Sequence, residues 1–384
     1  MRTKLSAEAV KAAADVAGSG LFAGGDPDFR FSWAPSGTAI YFERTFRGAR
    51  NIWRMRVNPQ TLQATSIERL TTGTDLSSDL SLSPDGRKIA FASESGKVQA
   101  WMFPFDAKRG RTTGSGKAVT SPGMEAWETG LSPDGSRLAF RAMRAGRWEL
   151  WEKSLTDGPE IPIGMGDSYI RFGPNWSPDG TRLAYVRTKL TGGTDAVIWS
   201  KDRGEEPITT SIYFFDVFDW SPDGKSLLIS MADSESRQWE IWEVPATGSD
   251  AKAKARKLVA CDTKTNLWQS RYSPDGRWIL FEAEENNSNQ HQSTIFLTPA
   301  TEGGPWTRIT EGKHWDDKPR WSPDGRTIYY LSDRKGFFNV WGIHFDPVKG
   351  KPEGDPFQVT NFDSPMLMVA DLIADVGLSL TEHK

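Results

Sequence analysis

The chain has 384 residues, a formal net charge of −3 and a single cysteine, Cys261. That charge argues against nucleic acid as the main partner, which selects for a basic face, and the lone thiol rules out an internal disulfide. No apolar run approaches the ~18 residues that a membrane-spanning helix requires.

Residues 1–28 are rich in Ala and Gly: "LSAEAVKAAADV" reads as a short helix and "GSGLFAGG" as a linker. Two early basic residues without an apolar core do not make a secretory signal. As written the chain is therefore expected in the cytoplasm, or in the periplasm if it belongs to a longer anchored protein.

From residue 29 to 362 one pattern recurs. The copies are "WAPSGTAIYF", "LSPDGRKIAF", "LSPDGSRLAF", "WSPDGTRLAY", "WSPDGKSLLI", "YSPDGRWILF" and "WSPDGRTIYY". Their prolines are Pro35, Pro84, Pro133, Pro178, Pro222, Pro274 and Pro323, spaced by 49, 49, 45, 44, 52 and 49 residues. Proline presets the turn, aspartate tolerates its third position and glycine takes the left-handed conformation, so each copy predicts a hairpin. Each hairpin is followed by an apolar strand ending in an aromatic residue: Trp53, Trp101, Trp151, Trp199, Trp242, Phe296 or Trp341. A fourth short strand follows, as in "ERLTTG" and "TRITEG". Four short strands per ~45–50-residue repeat, without helical periodicity, predict an all-β propeller of four-stranded antiparallel blades. Seven blades are favoured. Eight are the alternative, if the tail 363–384 starts another inner strand. Two polar stretches, 247–257 and 284–293, read as solvated loops.

On these recurring Ser-Pro-Asp-Gly turns the chain resembles the TolB-like bacterial propellers. Its last repeat, "WDDKPRWSPDGRTIYYLSDRKGFFNVWGIHFDP", is similar to propeller regions attached to bacterial serine/threonine kinases and winged-helix regulators. The resemblance implies a sensory or scaffolding module without a known ligand; the expected partner is a protein or peptide, with a polar small molecule or saccharide as the alternative.

No catalytic signature is present. There is no Gly-x-Ser-x-Gly elbow, no kinase loop, and none of His291, His314, His344 and His383 forms a metal-ligand pair. The turn aspartates Asp85, Asp134, Asp179, Asp223, Asp275 and Asp324 stand in separate turns, not in one calcium loop. The expectation is a binding protein without enzymatic activity, cofactor or metal. Its alternative is a propeller lyase or hydrolase acting on a saccharide or peptide in the channel.

Candidate ligand contacts lie just before each turn. Two residues before the proline stand Trp33, Leu82, Leu131, Trp176, Trp220, Tyr272 and Trp321, suited to packing between blades. The positions three and five before it are largely polar, and strand alternation turns them toward the channel. Asp79, Glu128, Asp216 and Asp219 fall in blades two, three and five, whereas Arg271, Lys318, Arg320 and Arg30 fall in blades six, seven and one, with Asp316 and Asp317 as the acidic exceptions there. The expected ligand-binding residues are Trp268, Arg271, Trp315, Asp317, Lys318, Arg320, Trp127 and Glu128.

Overall fold

The computed structural model describes residues 31–381 except 47–48, 73–75, 95–97, 107–108, 122–124, 145–146, 157, 165–166, 190–191, 212–214, 233–237, 248–253, 262–264, 286–291, 365–366 and 371–376. The N-terminal extension, Arg30, His291, His383 and most of the loop at 284–293 thus lie outside the described residues.

The described residues are all β, without an α-helix, and none forms a helix long and apolar enough to cross a membrane. They divide into two compact units. The first comprises the described residues from 31 to 94 with Arg144, and the second comprises the other described residues. In the first, Phe31–Trp33, Ala39–Phe46, Ala49–Val57 and Ala64–Arg69 form one antiparallel meander, with Leu76–Leu82 and Ile89–Glu94 attached. Its core is Ile40, Phe42, Met55 and Val57, with Trp33 and Trp53 packed against them.

The second unit opens with two short strand pairs. Five regular four-stranded antiparallel sheets follow, one for each of repeats three to seven. Their first strands are Ala126–Leu131, Tyr169–Trp176, Phe215–Trp220, Thr265–Tyr272 and Asp316–Trp321. Four of the hydrophobic clusters draw on two adjacent sheets. Phe172, Val186 and Ile198 meet Trp220, Leu227 and Ile229, and Leu280, Ile295 and Leu297 meet Trp321, Ile328 and Tyr330. A single sheet has no partner for its second face, so neighbours supply the core. This is a β-propeller of four-stranded blades.

The turns explain the recurring tetrapeptide atom by atom. In each of the six Ser-Pro-Asp-Gly copies the serine Oγ donates to the aspartate Oδ1 at 2.5 to 2.7 Å. The same Oδ1 accepts the amide two residues on at 3.0 or 3.1 Å. The serine Oγ in turn accepts the amide five residues on. The glycines hold φ between +67° and +71°, a region costly for any residue with a Cβ. Three groups of the turn thus satisfy one another, and the aspartates are consumed by that task. Turns also clamp neighbouring blades: Arg137 donates to the carbonyl of Gly180, and Arg182 to that of Gly224 at 2.9 Å. These guanidiniums lie 4.2 and 4.6 Å from the ring centres of Trp176 and Trp220, a favourable cation–π placement.

The tail, read from sequence as the possible start of an eighth inner strand, has only an isolated bridge between Ser364 and Leu367 among its described residues. Gly377–Thr381 carry no strand.

Candidate functional site

The first strands of the five sheets share one irregularity. Their pairing to the second strand breaks between Trp127 and Gly130, Phe172 and Asn175, Trp268 and Arg271, and Asp317 and Arg320. In repeat five a shorter break lies between Val217 and Asp219. The residue that opens each long break has a left-handed backbone: Glu128 at φ 47°, Gly173 at 66°, Gln269 at 54° and Lys318 at 54°. Asp79, five residues before its own turn proline in the first unit, has φ 55°. Non-glycine residues rarely adopt this conformation, which costs on the order of 1–3 kcal/mol. A bulge bends the strand and re-aims its side chains. Here the re-aimed positions are those five and three residues before each turn.

In the second unit they line a cavity of about 240 Å³. Glu128, Asp219, Gln269, Arg271, Lys318 and Arg320 supply its polar wall. Neighbouring blades are stitched together around it. Glu128 accepts the amide of Gly173 at 2.8 Å and the Arg141 guanidinium at 2.9 Å. Asp219 accepts the amide of Tyr272 at 2.9 Å. The indole N–H groups of Trp176 and Trp220 donate to the carbonyls of Gly130 and Asn175 at 3.2 and 3.0 Å. Gly130 has no room to grow, because a Cβ there would stand 2.4 Å from the carbonyl oxygen of Pro174.

The electrostatics are those of charges withdrawn from water. Burial raises the Asp219 carboxyl above the usual aspartate range, and the Arg271 charge with two backbone amides opposes that shift. Burial, reinforced by the like charge of Arg271, pulls Arg320 well below the ordinary guanidinium value, against the pull of Asp219 and Asp317. Beside this group Asp317 and Lys318 are 3% and 2% exposed, with Lys318 Nζ 3.6 Å from Asp317 Oδ2. Glu282, also buried, is raised well above its ordinary 4.5 by burial first and by Asp317 second. The folded state therefore holds the Glu282 proton more tightly than the unfolded chain does. Stability contributed by this group is greatest in acid and declines as pH rises above about 4.5. Glu282→Gln is expected to melt above the parent at pH 8 and level with it at pH 4. A parent that melts higher at pH 8 would refute this account of the cluster.

Of the eight residues expected from sequence, Glu128, Arg271, Lys318 and Arg320 line the cavity. Trp127, Trp268, Trp315 and Asp317 do not. Trp268 lies against Trp239, with ring centres 4.9 Å apart. Trp127 is 9% exposed and sits opposite Arg141 in the strand pairing. Trp315 gives its backbone amide to Asp333 at 3.1 Å. Trp127 and Trp268 come before the bulge, where the strand is still regular, and Trp315 precedes its strand. Asp219, from the acidic arc, and Asp317, the acidic exception within the basic one, both act on Arg320, so the two arcs meet at this wall. Strand alternation alone missed Thr129, Gly377, Ser379 and Leu380 in the wall. Among the described residues no group of three or more His, Cys, Asp or Glu is placed to hold a metal.

No family model matches the chain. By sequence it is 28% identical over 176 residues to an uncharacterised protein, Atu1656, of Agrobacterium fabrum, covering 45% of this chain and 54% of that protein. It is 26% identical over 187 residues to the uncharacterised peptidase YuxL of Bacillus subtilis, covering 40% and 28%. It is 22% identical over 319 residues to dipeptidyl-peptidase 5 of Porphyromonas gingivalis, covering 69% and 46%. The chain thus spans about half or less of the length of these curated relatives. Among solved structures, TolB from Acinetobacter baumannii superposes with a TM-score of 0.51 at 13% identity, over 79% of this chain and 75% of that one. The fold is TolB-like. The peptidase names correct the expectation of a chain without enzymatic activity, which rested on the fold, the missing catalytic motifs and the family resemblance.

Proposed function

We propose that this chain is a peptide-binding propeller of a peptidase-type protein, and that the cavity between its inner strands holds the peptide. The observation that carries the reading is the polar wall itself: Glu128 and Asp219 stand with Arg271, Lys318 and Arg320 around one cavity. An extended peptide presents carbonyls to cations and amides to carboxylates along its length. Arginine forks suit carbonyl and carboxylate oxygens, and a wall drawn from several blades contacts several residues at once. Relatives named as peptidases favour a peptide over a saccharide. The role assigned to these side chains is selection and positioning, which contributes to catalysis by holding the scissile segment in a defined pose.

Calorimetric titration of a mixed tetra- to octapeptide panel, with mass spectrometry of the products, tests the proposal. Binding is expected for a subset of peptides, and Arg271→Ala is expected to weaken it tenfold or more while circular dichroism stays that of the parent. Unchanged affinity in both Arg271→Ala and Lys318→Ala would move the site away from this cavity.

A further inference from the structure

The cavity is closed on one side by a distant segment of the chain itself. Gly377, Ser379 and Leu380 belong to its wall, although their segment is part of no sheet. The contacts fall into register. Thr129 Oγ1 donates to the carbonyl of Gly377 at 3.5 Å, the Leu131 amide donates to Ser379 Oγ at 3.3 Å, and Thr381 Oγ1 donates to the carbonyl of Pro133 at 3.0 Å. All three join residues 248 positions apart. A constant offset means that the segment runs parallel to the first strand of repeat three and follows it into the turn.

From the opposite side, Arg320 Nε donates to the carbonyl of Leu378 at 2.5 Å. Arg320, which also donates to the carbonyl of Pro319 at 2.8 Å, thus has a second acceptor in this segment. Gly377 fits because it lacks a side chain: a Cβ there would lie 2.4 Å from both the backbone nitrogen and the carbonyl oxygen of Thr129. Backbone at that distance cannot rotate away as a flexible side chain can. Two of the four contacts use main-chain carbonyls of the segment, and the other two use small hydroxyl side chains. No leucine head group is recognised by a polar partner in this set.

We propose that Gly377–Thr381 is an internal ligand of the cavity, held as an extended peptide would be, and that a peptide entering the site has to displace it. This inference rests on the peptide-binding reading and deepens it in two ways. It names the ligand class: an extended segment with glycine against Thr129, a carbonyl at Arg320 and a hydroxyl two residues after the glycine. It also makes the segment a regulator, because the site is competent only in molecules whose segment has left. The apparent dissociation constant equals the intrinsic one divided by the competent fraction. A segment seated nine-tenths of the time therefore weakens peptide binding about tenfold.

The test uses the full chain with Ser379→Cys as reporter, and the parent with Cys261 alone as background. Maleimide labelling of position 379 is expected to be slow, and at least tenfold faster when Gly377→Val is added. Equal labelling rates would overturn the inference directly. The second measurement titrates the peptide panel, enriched in Gly-x-Ser and Gly-x-Thr members, into the parent and into Gly377→Val. Tenfold tighter binding by Gly377→Val supports displacement. Equal binding by both proteins overturns the internal ligand but leaves the peptide site standing. Peptides that bind neither protein overturn the peptide reading and the gating that rests on it, even if position 379 is protected.

Discussion

Replacing Glu205 with alanine is expected to destabilise the protein by about 3–5 kcal/mol, the range found when one partner is removed from a buried ion pair. Glu205 is the shared anion of two arginines. Its Oε1 accepts Arg171 Nε at 2.5 Å, and its Oε2 accepts Arg171 Nη2 at 3.1 Å and Arg187 Nη1 at 2.7 Å. The hydroxyl of Tyr185 donates to Oε1 as well. Arg171 has a side chain only 4% exposed and is completed by Asp167 at 3.0 and 2.6 Å. Although burial opposes its charge, its hydrogen bonds to Asp167 and Glu205 hold its pKa above the ordinary value, and a guanidinium that keeps the Asp167 partner stays protonated when Glu205 is gone. Two enclosed cations then face a void that their shared carboxylate filled. Urea melts should show a lower midpoint with an unchanged slope, and thermal melts a fall of roughly 10 °C. The contrast is Lys225, which pairs with Asp223 at 3.2 Å with side chains 81% and 57% exposed. Lys225→Ala is expected to cost well under about 1 kcal/mol. Equal losses for the two substitutions would show that the Glu205 network does not carry the stability assigned to it.

Within one turn, Gly180→Val is expected to cost more than Asp179→Ala, by about 2 kcal/mol against about 1 kcal/mol. Gly180 has φ +67°, where a β-branched residue is strained whatever space it finds. A Cβ there would also stand 3.4 Å from Arg137 Nη2, the group that clamps this turn. Asp179 contributes hydrogen bonds to Ser177 at 2.6 Å and to the Thr181 amide at 3.0 Å, at an exposed site where water offers substitutes. Those bonds, led by the one from Ser177, lower the Asp179 pKa from 3.8 to about 2. A depressed carboxylate contributes stability that is fully present above pH 4 and fades as pH falls toward 2. The difference between the parent and Asp179→Ala should therefore narrow across that window, whereas the Gly180→Val penalty, being steric, should persist. Thermal melts of both variants at pH 7 and pH 2.5 decide it. Equal losses at pH 7 would mean that the left-handed glycine is not the strained element of the turn.

The turns were legible because their cause is local. Serine, aspartate and the backbone amides that follow satisfy one another within six residues, with proline and glycine setting the backbone, so recurrence of the letters is recurrence of the structure, and blade architecture follows from the period. Pre-turn aromatics were legible for a related reason: strand alternation sends Trp176 and Trp220 between blades, where their indoles reach the neighbouring carbonyl.

Alternation stops being a guide at the bulge. Glu128, Gln269 and Lys318 take φ values that their residue types do not advertise, and only Gly173 carried a sequence signal for that conformation. The strain is imposed by five strands converging on one cavity, a constraint that no single repeat contains. Charge pairing is decided at the same level. Asp219 and Arg271 are 52 positions apart in sequence and interact because adjacent blades bring them together. Gly377 and Thr129, 248 positions apart, meet through the threonine hydroxyl and the glycine carbonyl at 3.5 Å. Such a contact depends on the space left between elements, and that space exists only once the blades have packed. Local bonding therefore made the repeat readable from the amino-acid order, while the cavity, its buried charges and its occupant are properties of the packed blades.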